Sequence, residues 1–385
     1  MADSDPERPD LATELVAGGV SSLPGDQWDA CAGSGNPFMT HDFLSIMEES
    51  GSVGEDTGWR PAPIIIRAAD GRIDAALPAY LKGHSQGEYV FDHAWADAFE
   101  RAGGRYYPKL QIASPFSPVP GPRLLLRNPA LAPALLSAAE SLVRVNGLSS
   151  AHATFVAPEQ VPLFESFGWL IRIGNQFHWQ NRGYQDFDDF LGALASRKRK
   201  AIRRERRQAQ DAVSISRLTG ADIQPRHWDA FWQFYIDTGA RKWGRPYLTR
   251  KAFTLMGERM ADRILLVMAE LEGQPIAGAL NLIGADTLYG RYWGALADIP
   301  CLHFELCYYQ AIEAAIEMGL GTVEAGAQGE HKLARGYEPT PTYSAHFIAD
   351  TDFRTAVSDY LKRERAAIRR DIAFLGEMGP FRRSG

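Results

Sequence analysis

Two stretches of the chain repeat one pattern of apolar runs and polar turns. In the first, Pro61 to Arg67 is mostly aliphatic, Asp70-Gly71-Arg72 is polar, and Ile73 to Leu81 is aliphatic again. In the second, Ile264 to Leu271 and Pro275 to Ile283 flank Glu272-Gly273-Gln274. Apolar runs joined by an acidic-Gly-polar turn predict β-hairpins. The segments beyond the two hairpins also match. After the first come a strand-like Glu88 to Phe91, a helical Trp95 to Gly103 and a strand-like Tyr106 to Ala113. After the second come Leu288 to Trp293, a helical Leu302 to Gly319 and a strand-like Thr322 to Ala327. Both halves read β-β-β-α-β. Their offset is roughly 200 residues, far beyond the ~20–50 of a solenoid repeat, which points to a duplicated domain.

Between the halves, Pro129 to Asn146 predicts a helix, and Ala151 to Val156 and Trp169 to Trp179 predict strands. Asp186 to Gln210 reads as one helix, followed by a strand at Val213 to Leu218 and helices at Pro225 to Gly239 and Thr249 to Met260. A strand at Tyr343 to Ala349 precedes a C-terminal helix over 352–374, with Asp352 as its N-cap. The fold class is α+β (mixed α/β), with two tandem duplicated domains, each a central mixed β-sheet flanked by helices. The boundaries expected are a flexible segment over 1–30, a first domain over 31–185 and a second over 186–376. The second contains a basic helix over 196–210.

Composition narrows the function. The chain has 385 residues, 45% hydrophobic and 23% charged, with a net charge of -6, which argues against general nucleic-acid binding. Cys31, Cys301 and Cys307 are too few and too scattered for a disulfide framework or a zinc site. No secretory signal and no run of about 18 apolar residues is visible, so a cytoplasmic protein without a membrane span is expected. The nine histidines lack ligand spacing, and no G-x-S-x-G, H-E-x-x-H or P-loop is present, so no metal is expected.

Three regions are candidates for chemistry. The first runs through Arg291, Tyr292, Trp293 and Gly294 to Leu302 and His303, a strand feeding a helix. Free N–H groups at a helix start suit a phosphate, such as the pyrophosphate of an acyl-CoA. The second is Glu324 to Lys332, where small residues let a ligand approach before Gln328, Glu330, His331 and Lys332. Glu305, Glu324 and His331 are the candidate general bases, because amine attack on a thioester or ester requires removal of a proton. The third region, His84, Glu88, Tyr89, Asp92, Tyr107 and Lys109, mixes titratable and aromatic groups and suits an acceptor. Gln328 and Lys332 join this substrate set.

The segment Arg197 to Arg207 carries eight positive charges and one negative. Lys198, Arg199, Arg203 and Arg204 are its candidate donor-binding residues. Three readings stand for it: a solvated face, counter-charge for a phosphate-rich donor (CoA or tRNA), or contact with an anionic membrane surface. Its charge would make tRNA binding steeply salt-dependent.

Asn36-Pro-Phe38, His41 to Leu44, His84 to Asp92, Tyr106 to Leu110, Gln176 to Trp179, Lys198 to Arg203, Tyr289 to Gly294, Leu302 to Glu305 and Gly326 to Lys332 together resemble the FemAB-like predicted N-acyltransferases of bacteria, over roughly residues 36–375. The resemblance implies tandem GNAT-like (acyl-CoA N-acyltransferase) domains. In Fem transferases an aminoacyl-tRNA donates an amino acid to a peptidoglycan precursor, and a helical coiled-coil arm interrupts the second domain. Here one basic helix comes after Phe187, leaving no room for a paired arm. The Q/R-x-x-G-x-G/A phosphate loop of acetyl-CoA enzymes is not clean either.

The leading expectation is an N-acyltransferase with acyl-CoA as co-substrate, acting on a small-molecule or peptide amine by direct attack in a ternary complex. The alternatives are an aminoacyl-tRNA-dependent transferase, with tRNA on the basic helix over 197–207, and a degenerate fold that only binds. A filled cleft between Gly290 and Gly326 would mark the last.

Overall fold

The computed structural model describes residues 12–242, 246–326 and 329–382. The first half contains β1 (Ala12–Leu15), α1 (Gly25–Ala32), α2 (His41–Glu49), β2 (Trp59–Pro61), β3 (Ile64–Arg67), β4 (Ile73–Leu77), β5 (Ala79–Lys82), α3 (His93–Arg101), β6 (Lys109–Ile112), β7 (Leu125–Leu126), α4 (Ala132–Val145), β8 (Ser150–Val156), α5 (Val161–Ser166) and β9 (Leu170–Gln180). The second contains α6 (Phe187–Ala193), α7 (Ser196–Gln210), β10 (Ser214–Leu218), α8 (Pro225–Lys242), α9 (Arg250–Arg259), β11 (Ile264–Leu271), β12 (Gln274–Ile283) and β13 (Thr287–Ala295). It continues with α10 (Leu302–Phe304), a π-helical turn (Glu305–Tyr309), α11 (Gln310–Glu317), β14 (Thr322–Glu324), β15 (Glu338–Ile348) and α12 (Thr351–Glu377). No described helix is long and apolar enough to cross a membrane.

A large sheet runs β10-β11-β12-β13-β14-β9-β15-β8-β6-β5-β2, and a small one β1-β3-β4-β7. The repeat is visible in the pairing. β13 pairs in parallel with β14, and β6 pairs in parallel with β8. At the centre the halves exchange strands. β9 lies against β14, β15 lies against β8, and the two exchanged strands pair antiparallel with each other. The halves therefore share one sheet. They also share a core, in which Phe38 meets Tyr289 edge-on at 5.2 Å between ring centroids.

Several elements differ from the sequence reading. From Ala12 onward the segment expected to be flexible forms β1 and most of α1, with Trp28 fully buried. The strand expected over Ile73 to Leu81 is broken at Pro78 into β4 and β5, which join different sheets. Proline has no N–H to donate, so it interrupts a ladder wherever that N–H would be needed. Glu88 to Phe91 forms no strand, because Tyr89 turns left-handed (φ 60°) and Glu88 is drawn inward to a buried lysine. The helix expected over 186–210 is two helices. They break at Leu194 and Ala195, where Ala195 N–H donates to the Pro380 carbonyl. The last helix is capped by Asp350, whose carboxylate accepts from Phe353 N–H at 2.7 Å; Asp352 lies in the first turn.

Candidate active site

The second half contains an open fork. β13 and β14 pair only from Thr287–Thr322 to Tyr289–Glu324. Beyond that point β14 ends while β13 continues along β12 to Ala295. The β12–β13 register slips at the parting: Asn281 faces Gly290, but Leu280 faces Tyr292. Arg291 is thus an extra residue, and a bulged residue leaves its backbone unpaired in the ladder. Gly290 sits in the crotch. A Cβ there would lie 3.3 Å from the Glu324 carbonyl oxygen and 3.6 Å from Ala325 Cα.

A cavity of about 430 Å³ opens from this fork. Gly290 to Trp293 form its floor, Ala325 and Gly326 one wall, and His303, Cys307 and Tyr308 one end. The first half supplies the roof, through Ser85, Gln86, Gly87, Tyr89, Phe91 and His93. Tyr235 on α8 and Tyr247 beyond it close the side. The cleft between Gly290 and Gly326 is therefore open.

The candidate bases fall in three different places. Glu324 ends β14 at the fork, 9% exposed, with His178 Nδ1 at 3.9 Å from its carboxyl. No hydrogen bond to that carboxyl is present among the described residues. Burial, only partly offset by Arg291, pushes its pKa up to about 8. His331 accepts or donates at Nε2 with the Tyr308 hydroxyl at 2.8 Å, and burial lowers its pKa. Glu305 does not reach the cavity. Its carboxylate is fully buried and faces α7, held by Arg206, Gln210 Nε2 (2.8 Å) and Gln310 Nε2 (2.7 Å). It is an anchor between helices, which corrects its reading as a base.

Of the donor candidates, Arg291, Tyr292, Trp293 and His303 line the cavity. Gly294 does not: a Cβ there would collide with the Phe234 carbonyl at 2.2 Å, so this glycine lets α8 lie on β13. Leu302 is core. Lys198 and Arg204 border a second hollow of about 420 Å³, together with Arg197, Tyr309 and Arg335. Cys301, just before α10, reaches toward Gln208 on the same helix α7. Arg203 pairs with Asp188 at 2.8 Å on the surface, and Arg199 lies outside both hollows.

The acceptor candidates gather in a buried ionic knot behind the roof. Lys109 Nζ donates to Ser85 Oγ (2.8 Å), Glu88 (2.8 Å) and Asp92 (2.5 Å). Ser85 Oγ in turn meets the Tyr107 hydroxyl at 2.7 Å. Burial opposes the Lys109 charge, but Glu88 and Asp92 outweigh it and raise the pKa. Burial lifts Glu88 to about 7 and lowers Lys82 to about 7. His84 is spent on the Thr57 carbonyl and on Gln86 N–H. Among the candidates in this region Tyr89 alone lines the cavity; the others fix the loop that carries it. Lys332 is buried, and its Nζ donates to the Gly326 carbonyl at 2.9 Å; burial lowers its pKa to about 8. Gln328 lies outside the described residues, as does the side chain of Glu330.

Sequence reasoning missed Tyr235, Tyr247, Asn281 and Tyr308. Asn281 did leave a signal, a lone amide inside the apolar run of β12, where its Nδ2 donates to the Leu265 carbonyl. The aromatic residues of α8 look like core from any sequence pattern.

A family model described as peptidoglycan biosynthesis/recognition matches residues 19–383. The chain belongs to the FemAB-like family. This is a family of transferases. Solved structures agree on the fold. The C-terminal domain (DUF2156) named for lysylphosphatidylglycerol synthetase in Agrobacterium fabrum superposes with a TM-score of 0.56, at 10% identity, over 88% of this chain and 96% of that one. FemX superposes with a TM-score of 0.55, at 11% identity, over 87% and 98%. L-PGS from Bacillus licheniformis gives 0.50, at 11% identity, over 82% and 93%. No curated protein matches the sequence. The tandem fold of this FemAB-like chain, with a parallel strand pair in each half, agrees with the duplication read from its hairpins.

Proposed function

We propose that this FemAB-like chain is an N-acyltransferase whose transfer step takes place at the β13/β14 fork. The observation that carries the reading is an open cavity at a parallel fork, with an unpaired backbone bulge at Arg291 and a buried carboxyl at Glu324. The acceptor amine attacks the carbonyl carbon of the bound acyl donor, forming the C–N bond. Its proton passes through a bridging water to ionised Glu324, whose carboxyl lies at the fork next to the lining residues Ala325 and Gly326 and whose elevated pKa places it near the range where a base works best. The Arg291 backbone N–H, released from the ladder, donates to the oxyanion. The C–S bond of a thioester, or the C–O bond of an ester, then breaks. Tyr308, backed by His331, gives the leaving group its proton. Holding both substrates in one cavity supplies much of the rate.

The donor reading is acyl-CoA. The start of α10 and the second hollow, with Arg197, Lys198, Arg204 and Arg335, lie together and suit its phosphates. The same basic hollow favours one other donor, an aminoacyl-tRNA. Thermal unfolding against a panel of CoA thioesters and, separately, aminoacyl-tRNA decides between them. A ligand at 100 times its Kd adds about 2.7 kcal/mol, an easily measured shift. A shift with a thioester alone supports the first reading, and a shift with tRNA alone supports the second. Silence from both contradicts transfer from either donor.

A further inference from the structure

We infer that the cavity receives a small carboxylate with an apolar body, and that the Arg291 guanidinium is the group that selects it. This names a substrate class for the transfer site proposed above and rests on that reading for its place in turnover, though not for binding itself. The argument begins with charge. Arg291 lies on the cavity floor, amid Tyr89, Tyr247, Tyr292, Trp293 and Tyr308. No Asp or Glu is among the described side chains lining that cavity. The guanidinium Nη2 donates to the Phe116 carbonyl at 2.9 Å, while its Nε has no hydrogen-bond partner. No described carboxylate lies within the 4.0 Å that defines an ion pair with it.

A cation held among aromatic walls without a counter-ion is an unbalanced arrangement. The other arginines of the interior show the contrast. Arg206 has Glu305 and Glu313, and Arg335 has Glu205. The fully buried Arg123 spends its nitrogens on the carbonyls of Thr154, Val119 and Pro122. Of these four, Arg291 alone has neither a carboxylate partner nor a full set of carbonyls among the described residues, and it lines the cavity. The acid near it, Glu324, makes no ion pair with it; the carboxyl instead has His178 Nδ1 at 3.9 Å. A planar guanidinium matches the two oxygens of a carboxylate, and such charge-assisted bonds are the stronger kind. The fork also places Arg291 beside the carboxyl proposed as base. An amine that carries its carboxylate a few bonds away, as an amino acid does, would present both groups at once.

The test is a matched pair, 3-phenylpropanoate and 3-phenylpropanamide, titrated calorimetrically into the full chain at pH 7.5. The two share a shape and differ in charge. The acid should bind at least tenfold more tightly than the amide. Arg291→Gln should abolish that preference without weakening the amide, and Arg291→Lys should restore part of it. Equal affinity in the unaltered protein, no saturable binding of the acid, or a preference that survives Arg291→Gln overturns the inference. The first comparison needs no variant to fold. A Glu324→Gln protein that keeps both the carboxylate preference and full turnover would sink the transfer mechanism while leaving this site standing.

Discussion

The described residues contain two parallel strand junctions, β6 with β8 and β13 with β14, and they have opposite fates. In the first half the space beyond the junction is filled by the chain itself. The segment after β6 returns so that Gly121 bridges in parallel to Val156, and Gly121 N–H donates to the Phe155 carbonyl. Arg123 is fully buried there, and burial lowers its pKa to about 9. In the second half no described chain returns into the fork, and a cavity occupies the same relative place. The loop over 85–93 of the first half roofs the cavity at the second fork. Of the two forks, one is closed by its own chain and the other opens on that cavity.

The largest expected effect lies in the closed fork. Arg123→Ala strands three carbonyls and leaves a void, and should cost about 4 kcal/mol by urea unfolding. Arg291→Ala, in the open fork, should cost less than about 1 kcal/mol, because its side chain lines space rather than filling it. Equal costs would erase the distinction between the two. Next comes Glu305→Ala, which strands Arg206 in the interior and should lower stability by about 3 kcal/mol, with turnover per folded molecule nearly unchanged. A collapse of turnover in the folded variant would restore Glu305 as a candidate base.

Glu324→Gln should lower turnover about 100-fold while leaving the far-ultraviolet circular dichroism unaltered. Its pH behaviour sharpens the point. The folded pKa is raised to about 8 from 4.5, so the unfolded chain releases this proton first. The stability contributed by this group is whole below about pH 4.5 and is lost as pH rises through about 8. Glu324→Gln should flatten that decline in urea titrations, and turnover of the unaltered protein should rise across the same upper range. A decline identical in the two proteins would remove Glu324 from its assigned environment.

The part of the molecule legible in sequence was what local pattern controls. The hairpin of β11 and β12 was visible because two aliphatic runs flank Glu272-Gly273, and both residues take the positive φ that such a turn requires. The exchange of β9 and β15 was not visible, since either strand carries an alternation that suits several partners. Arg291, Tyr292 and Trp293, picked out as a strand feeding a helix start, line the cavity, and so do Ala325 and Gly326, the small residues that follow Glu324. Glu305 misled because its partner, Arg206, lies 99 residues away in sequence. The lysine-carboxylate knot was noticed as a cluster. Only its depth showed that its groups are spent on one another and hold a loop, and depth is a property of the whole fold. The closure of the first fork by Arg123 left no sequence sign, because its partners are backbone carbonyls.

The most direct measurement is hydrogen–deuterium exchange with a saturating donor from the thermal-unfolding panel. A single open transfer fork predicts slowed exchange at Arg291 to Trp293 and at Ala325 and Gly326, with Gly121 and Arg123 of the closed fork unaffected. Protection at the first-half fork instead, or equally at both, would contradict the assignment of one site to one half.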